Sequence, residues 1–455
     1  MTVSSKLPNI VVVAIDSLRA DHLGCYGYAR PTSPYIDALA AESQVFEQAF
    51  AAGIPTMPSF TTLYTGLHPY RHGVVSHTGQ RRLASSIQML PQLLKQRGYV
   101  TAACDNLAVQ GEGRGSWFAR GYDYYSGFLY KPFGDQSQQL TDRALSLLHE
   151  YADQPLFLFL HYWDPHTPYA PLPPYDTMHY EPGSGPIDLA EVRKLQPEYY
   201  NAFLGDMHLR HPDDYAYVVA QYDGEISQVD VEVGRLVQFL KALALWENTI
   251  FVLLSDHGEC FGEGDFYFDH HGLYDAVTRI AFMLHRPGQP AGRIDPMVSH
   301  LDIVPTLGEL VGLPSLPYAL DGRSLLPLLN GSTSTSPHPY IVSIESSRQA
   351  SIALRTSEWK VILPIVEDLH GQPLPDFYGR QRSPAPLLFD LRHDPAEQHD
   401  LSQQQPEKLS EMLDLLRNWR ARMSMITGEP DPIQAQGLSL SYERFMKRLL
   451  ARKKS

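Results

Sequence analysis

Residues 9–16 read NIVVVAID, in which Ile10–Ile15 is an unbroken apolar run, mostly β-branched, closed by an acid. A run without alternation has no face to offer to water. It is expected as a strand buried on both sides of a parallel sheet. Residues 155–162 (PLFLFLHY) and 249–254 (TIFVLL) repeat the pattern, and 100–104 (VTAAC) is expected as a further strand. Between them lie segments with helical spacing. These are 33–43 with a Ser cap, 59–65 entered through Pro58, 87–97 ended by Gly98, and 137–151 with Ser137 as N-cap. The longest, 213–242, carries apolar positions at Val219, Ile226, Val229, Val233, Val237 and Leu240. Alternating strands and helices predict a doubly wound α/β sheet.

The 455 residues exceed one ordinary domain. Apolar residues at 43% and charged residues at 19% allow a sizeable core and exclude global disorder. The formal net charge is −14. A surface that acidic repels nucleic acid and anionic lipid, so neither is an expected partner. An anionic substrate would need a local cation to hold it. The cysteines, Cys25, Cys104 and Cys260, are odd in number and far apart, so no disulfide framework or CxxC knuckle is expected. The apolar run near the N-terminus is too short for a membrane span, and Asp16 stands where a signal peptide would need a small residue. The expected location is cytoplasmic.

A polar Ser/Thr/Pro stretch, 330–339, marks a composition shift. Beyond it, 340–345, 350–355, 359–364 and 387–391 are expected as short strands and 406–425 as a helix. The expected division is a catalytic α/β domain at 1–332, a smaller α+β domain at 333–430, and a basic helical tail at 431–455. An isolated helix of the tail's length is marginal in water, so it is expected to dock, either on its own domain or as a homo-oligomer contact.

In open α/β sheets, ligands bind beyond the carboxyl ends of the strands. Three buried strands deliver polar residues there: Asp16, then Asp164-Pro165-His166, then Ser255-Asp256-His257-Gly258. Carboxylates with imidazole suit one divalent metal ion. The histidine favours Mn²⁺ or Zn²⁺, with Ca²⁺ or Mg²⁺ also possible. Upstream, Thr56-Met57-Pro58-Ser59-Phe60 places hydroxyls before a helix start. Thr56 or Ser59 is either an N-cap or, for Thr56, a metal-bound nucleophile at a helix N-terminus. Asn106, just past a strand end, is a candidate substrate contact. His68, His72 and His77 are expected to be loop or packing residues.

VVVAIDSLRADHLGCYGY, PTMPSFTTLYTGLHPYRHGV, LFLFLHYWDPHTPYAP, YDGEISQVDVEVGRLV, LLSDHGE, HHGLYDAVTRIAFML, VSHLDIVPTL and LFDLRHDPAEQHDL follow in this order along the chain. In order and spacing they resemble the sulfatase-like branch of the alkaline phosphatase superfamily. The resemblance implies an alkaline-phosphatase-like central sheet with a smaller C-terminal α+β domain. It further implies Asp16, Asp256 and His257 as metal ligands, Thr56 as the nucleophile, and His166 as a contact to the substrate's anionic group. His271 stands about where the family has a Lys or His facing the substrate, and spacing does not separate it from His270. Asp164 with His166 and His271 is a candidate second metal site.

Three positions depart from that pattern. Thr56 replaces the Cys or Ser that true sulfatases oxidise to formylglycine, so no formylglycine is expected. Phe60 replaces the Arg that completes the signature, and Ser17 a second metal-binding Asp. With these departures the chain is similar to the superfamily's phosphonate monoester and phosphodiester hydrolases. The expected function is therefore metal-dependent hydrolysis of phosphodiesters or phosphonate monoesters, small anionic esters, with promiscuity toward sulfate esters. The alternative is a sulfatase proper. A phospho-group transferase or an inactive binding protein stands behind these.

Overall fold

The structure, a computed structural model, describes residues 7–77, 81–108, 115–127, 136–183, 185–195, 207 and 209–438. Its centre is an eight-stranded sheet. From one edge the strands are Gly292–Ile294, Gln44–Phe46, Phe282–His285, Thr249–Ser255, Asn9–Ile15, Leu156–Tyr162, Val100–Cys104 and Tyr124–Ser126. The Asn9–Ile15 strand lies between Leu156–Tyr162 and Thr249–Ser255, parallel to both. The sheet is mixed, because Phe282–His285 runs antiparallel to Thr249–Ser255.

Both faces are covered, which is why the central strands lack alternation. On one face Ile10, Val12, Ala14, Phe157, Phe159, Ile250, Val252 and Leu254 pack with Phe60, Leu63 and Tyr64 of the helix Thr56–Thr65. On the other, Val11, Val13, Ile15, Leu158 and Leu160 meet Tyr222, Ile226, Val229 and Val233 of the long helix Tyr215–Ala242. Leu140 and Ala144 of the helix Gln136–Glu150 pack on that second face.

A second sheet of five strands runs in the order Leu387–Asp390, Trp359–Pro364, Ala350–Arg355, Ile341–Ser346 and Gly53–Ile54. Four come from the C-terminal region and pack against the helix Pro406–Thr427 through Met412, Leu416 and Trp419. The fifth comes from the segment just before Thr56 and pairs parallel with Ile341–Ser346.

Several element ends differ from the sequence expectation. The helix expected from Pro58 begins at Thr56, with Pro55 at its N-cap position and no side-chain cap. Thr56 and Ser59 are thus inside the helix, and neither caps it. The helix at 33–43 is confined to Pro34–Ala40, and that at 87–97 to Leu90–Gln96. Ser137 is the second residue of its helix, and its hydroxyl donates to Asp164 Oδ2 at 2.5 Å. The expected tail helix beyond residue 438, and the oligomer contact through it, lie outside the described residues. Among the described residues no helix is long and apolar enough to cross a membrane.

Lys360 of the second sheet is buried, and its ammonium reaches Asp275 Oδ1 and Glu397 Oε1, each at 2.8 Å. Asp275 follows the central region's HHGLY segment, so this ion group ties the sheets together. Lys360→Met would leave the buried Glu397 without its cation, while Asp275 keeps Arg355 at 3.1 Å. Breaking such a group typically costs about 3–5 kcal/mol. Denaturant unfolding is expected to show a loss of that order, and a change below about 1 kcal/mol would show that the group does not hold the sheets.

Candidate active site

The site follows from strand register. Ala14 pairs with His161 and with Leu254, and Ile15 pairs with Tyr162 and Ser255. Side chains alternate along a strand. The face that carries Ile10, Val12 and Ala14 is therefore continued by Asp16. Likewise Phe157 and Phe159 are continued by His161, and Ile250, Val252 and Leu254 by Asp256. Three polar side chains emerge side by side, at the carboxyl edge, on the face covered by the Thr56–Thr65 helix.

Local backbone geometry fixes their aim. Ser17 adopts a left-handed conformation, φ +57°, uncommon for a non-glycine residue, and so turns the chain sharply after Asp16. Its hydroxyl donates to Asp16 Oδ1 at 3.0 Å and its amide to Asp256 Oδ1 at 3.1 Å. The His257 amide donates to the same Asp256 oxygen at 2.8 Å. The next turn needs Gly258, since a Cβ there would stand 2.1 Å from the Ala276 carbonyl oxygen. His257 Nδ1 is held by the Gly258 carbonyl at 2.9 Å, which leaves Nε2 for the site. Ser59 donates to the Asp256 carbonyl at 2.7 Å and pins the Thr56–Thr65 helix to this edge.

Donor atoms of Asp16, Asp256 and His257 all lie within 4.8 Å of one another. Asp256 Oδ2 is 3.2 Å and Asp16 Oδ1 3.8 Å from His257 Nε2. Thr56 Oγ1 is 3.4 Å from the same nitrogen. Asp16 Oδ2, Asp256 Oδ2 and His161 Nε2 are buried without a hydrogen-bond partner. Buried carboxylate oxygens of Asp16 and Asp256 gathered with a ring nitrogen of His257 fit a divalent cation.

Burial raises the proton affinity of both carboxyls, but they diverge. For Asp16, the facing His161 imidazole, 3.3 Å away, and the charge of nearby histidines outweigh burial and hold it at about 2. Asp256 stays well above the usual carboxylate range, pushed by burial and by Asp16. Burial opposes a charge on His161, yet Asp105 and Asp16 raise it to about 10.

His166 and His271 reach the site in different ways. His166 Nδ1 donates to the Thr167 carbonyl at 2.6 Å, and its ring packs on those of Trp163 and His270. His270 in turn stacks on His257, with centroids 5.1 Å apart. His271 is held at Nδ1 by Glu345 Oε1 at 2.7 Å. Asp164 accepts from Ser137, and the histidines 270 and 271 gather with Asp269 instead, which corrects the expected second metal set. The Asn106 amide reaches Gln136 Oε1 at 3.5 Å. His68 and His72 bond Val342 O and Thr62 Oγ1, as packing residues do.

Sequence reading missed His161, Asp105 and Glu345. His161 bonds Asp105 Oδ1 at 2.8 Å and faces Asp16 Oδ2 at 3.3 Å. Its signal was a lone imidazole inside an otherwise apolar strand. Asp105 sits beside Asn106, which drew the attention instead. Phe60, at the signature's Arg position, packs edge-on against the His161 ring at 4.6 Å.

The comparisons with known proteins agree with this architecture. The family model described as "Sulfatase" matches residues 8–313, and that described as "N-sulphoglucosamine sulphohydrolase, C-terminal" matches residues 262–422. An ulvan-active sulfatase of Formosa agariphila is 25% identical over 88% of this chain and 76% of its own length. The human N-sulphoglucosamine sulphohydrolase is 25% identical over 90% of this chain and 88% of its own. The phosphonate monoester hydrolase structure of Agrobacterium radiobacter is 21% identical, with a TM-score of 0.72 over 91% of this chain and 96% of that one. The chain belongs to the sulfatase family of the alkaline phosphatase superfamily and is an ester-bond hydrolase. Members of that family bind a divalent metal, and the donor set here suits one.

His161 acts on the first carboxylate from behind. His161→Gln should weaken metal affinity about 10–100-fold, the usual cost of losing such a supporting group. A competition titration with a chelating dye reads this directly. Unchanged affinity would show that Asp16 is oriented without it.

Proposed function

We propose that the chain is a sulfuric ester hydrolase that uses the Thr56 hydroxyl as its nucleophile, without formylglycine. What supports the ester class is the company of sulfatases among its relatives. What supports the mechanism is one observation: Thr56 Oγ1 sits 3.4 Å from His257 Nε2, at the first turn of its helix and against the cation donors. Asp16, Asp256 and His257 would hold a divalent cation, Mn²⁺ or Zn²⁺ by donor type, which would supply positive charge to the Thr56 oxygen and to the anionic ester.

The protein's own groups do the rest. The N-terminus of the Thr56–Thr65 helix adds a smaller favourable term for negative charge, about 0.3–1 kcal/mol. Thr56 Oγ attacks sulfur, the bond from sulfur to the ester oxygen breaks, and the sulfo group stays on Thr56 until water releases it. His166 Nδ1 is committed to the Thr167 carbonyl, so Nε2 is the nitrogen available to protonate the leaving oxygen. Desolvation lowers its proton affinity, and the Asp16 charge partly restores it. An anionic substrate alongside shifts it further toward the protonated donor. The substrate partner is a small anionic ester.

A second reading is hydrolysis of phosphonate monoesters or phosphodiesters. It is favoured by Thr56 and Phe60, which replace the formylglycine precursor and the signature Arg. Sulfate monoesters, phosphonate monoesters and phosphodiesters share one property: each carries a single negative charge. A site without the Arg suits them better than a dianionic phosphate monoester.

Rates on aryl esters of all four types separate the readings. The sulfate monoester is expected to be fastest and the phosphate monoester slowest. A faster phosphodiester or phosphonate selects the second reading. Thr56→Ala should cut turnover on the order of a thousandfold or more, as removal of a nucleophile does. Its fold should hold within about 1 kcal/mol, because Thr56 caps nothing and alanine favours helix. Near-normal turnover in that variant would make water the nucleophile.

A further inference from the structure

Beside the first donor set lies another that the mechanism above does not use. One donor atom each from Asp269, His270 and His271 lies within 4.8 Å of the others. Asp269 Oδ1 is 3.9 Å from His271 Nε2, and His270 Nδ1 is 3.8 Å from Glu259 Oε1. None of these is a hydrogen bond. Asp269 and Glu259 are buried at 1% and 0% exposure. Asp269 Oδ1, His270 Nδ1 and both Glu259 carboxylate oxygens have no hydrogen-bond partner.

We propose that Asp269, His270 and His271 bind a second divalent cation, with the Glu259 carboxylate facing the same space. The outer groups are already arranged as metal ligands need them. His271 gives Nδ1 to Glu345, whose other oxygen accepts from the Gly272 amide at 2.9 Å and from Gln349 at 3.1 Å. That fixes the ring and leaves Nε2 facing Asp269, the carboxylate–histidine–metal arrangement. Arg348 engages Asp269 Oδ2, so Oδ1 is the free oxygen. Donor atoms of one ion at bond lengths of about 2.0–2.5 Å are separated by at most twice that, which the observed spread meets.

Charge points the same way. Asp16, Asp256, Glu259 and Asp269 are four buried acids in this region, and among them Asp269 is paired with Arg348. One divalent ion offsets two carboxylates. A second, together with Arg348, would offset the acids at 259 and 269 and favour an anionic ester nearby. Carboxylate with imidazole selects Mn²⁺ or Zn²⁺ here as at the first site. The inference does not depend on which ester is cleaved.

The test is Mn²⁺ stoichiometry, read by calorimetric titration of chelator-stripped protein and by elemental analysis after gel filtration. Two ions per chain are expected in the unaltered protein, and one in His270→Gln, in Asp269→Asn and in the first-site variant Asp256→Asn. His270→Gln is the decisive variant, because it leaves the Asp269–Arg348 pair in place. One ion or fewer in the unaltered protein, as a protonated Glu259 needing no cation would give, overturns the proposal. So do two ions retained in His270→Gln. Binding is read without substrate, so loss of the second ion and failure of Thr56 as nucleophile are separate results.

Discussion

Asp16 and Asp256 place two carboxyl groups side by side at adjacent strand ends, buried beneath the helix Thr56–Thr65. Each ionised carboxylate in such a place costs several kcal/mol unless it is paired and hydrogen-bonded. The surrounding chain supplies part of that compensation. Ser17 and His257 give backbone amides to Asp256, while His161 faces Asp16 with a proton affinity raised to about 10. The compensation stops short: Asp256 Oδ2 is left without a hydrogen bond, 3.2 Å from His257 Nε2, and Asp16 Oδ2 without one, facing His161. A fold that shields two acids this deeply, and satisfies all but the inward oxygens, is built around a cation.

How much of this could be read beforehand depended on whether a residue's role was local. The parallel strands were legible because burial on both faces erases alternation, and the acids that end them because strand ends are where such sheets bind ligands. Thr56 was legible as a hydroxyl near a helix start, but its exact place was not. The sequence suggested entry at Pro58, whereas the helix starts at Thr56, because the preceding Gly53–Ile54 segment is held in another sheet. No local pattern announces a partner that lies nearly three hundred residues away. The same reason hid Glu345, which acts on His271 only through that long-range pairing.

Phe60 and His161 show how a departure from a family pattern can be compensated across the core. An Arg at position 60 would bring charge into the layer between helix and sheet. Here that position is an aromatic ring, fully buried among Phe118, Phe159 and His161. A positive charge sits one layer over on His161, where Asp105 and Asp16 hold its proton against the cost of burial. A charge there orients Asp16 and offsets it, but reaches an ester oxygen less directly, so the pocket that faces the substrate must draw its positive charge from bound ions and neighbouring imidazoles.

The C-terminal sheet is therefore part of the active site's construction. Ile344 and Glu345 pair with Gly53 and Ile54, and the Ser343 hydroxyl donates to the Ala51 carbonyl at 2.6 Å. This fixes the strand from which the chain turns into the Thr56–Thr65 helix, while Ser59 fixes the helix to Asp256. Thr56, the proposed nucleophile, is held from two directions by two sheets. On the opposite side, Lys360 binds Asp275, just past the histidines at 270 and 271, and Glu345 binds His271 itself. Displacing the second sheet would release the turn before Thr56 and the histidine pair together. Attachment of that sheet and assembly of the site are thus one event, which is why its buried ion group at Lys360 matters to chemistry occurring elsewhere in the molecule.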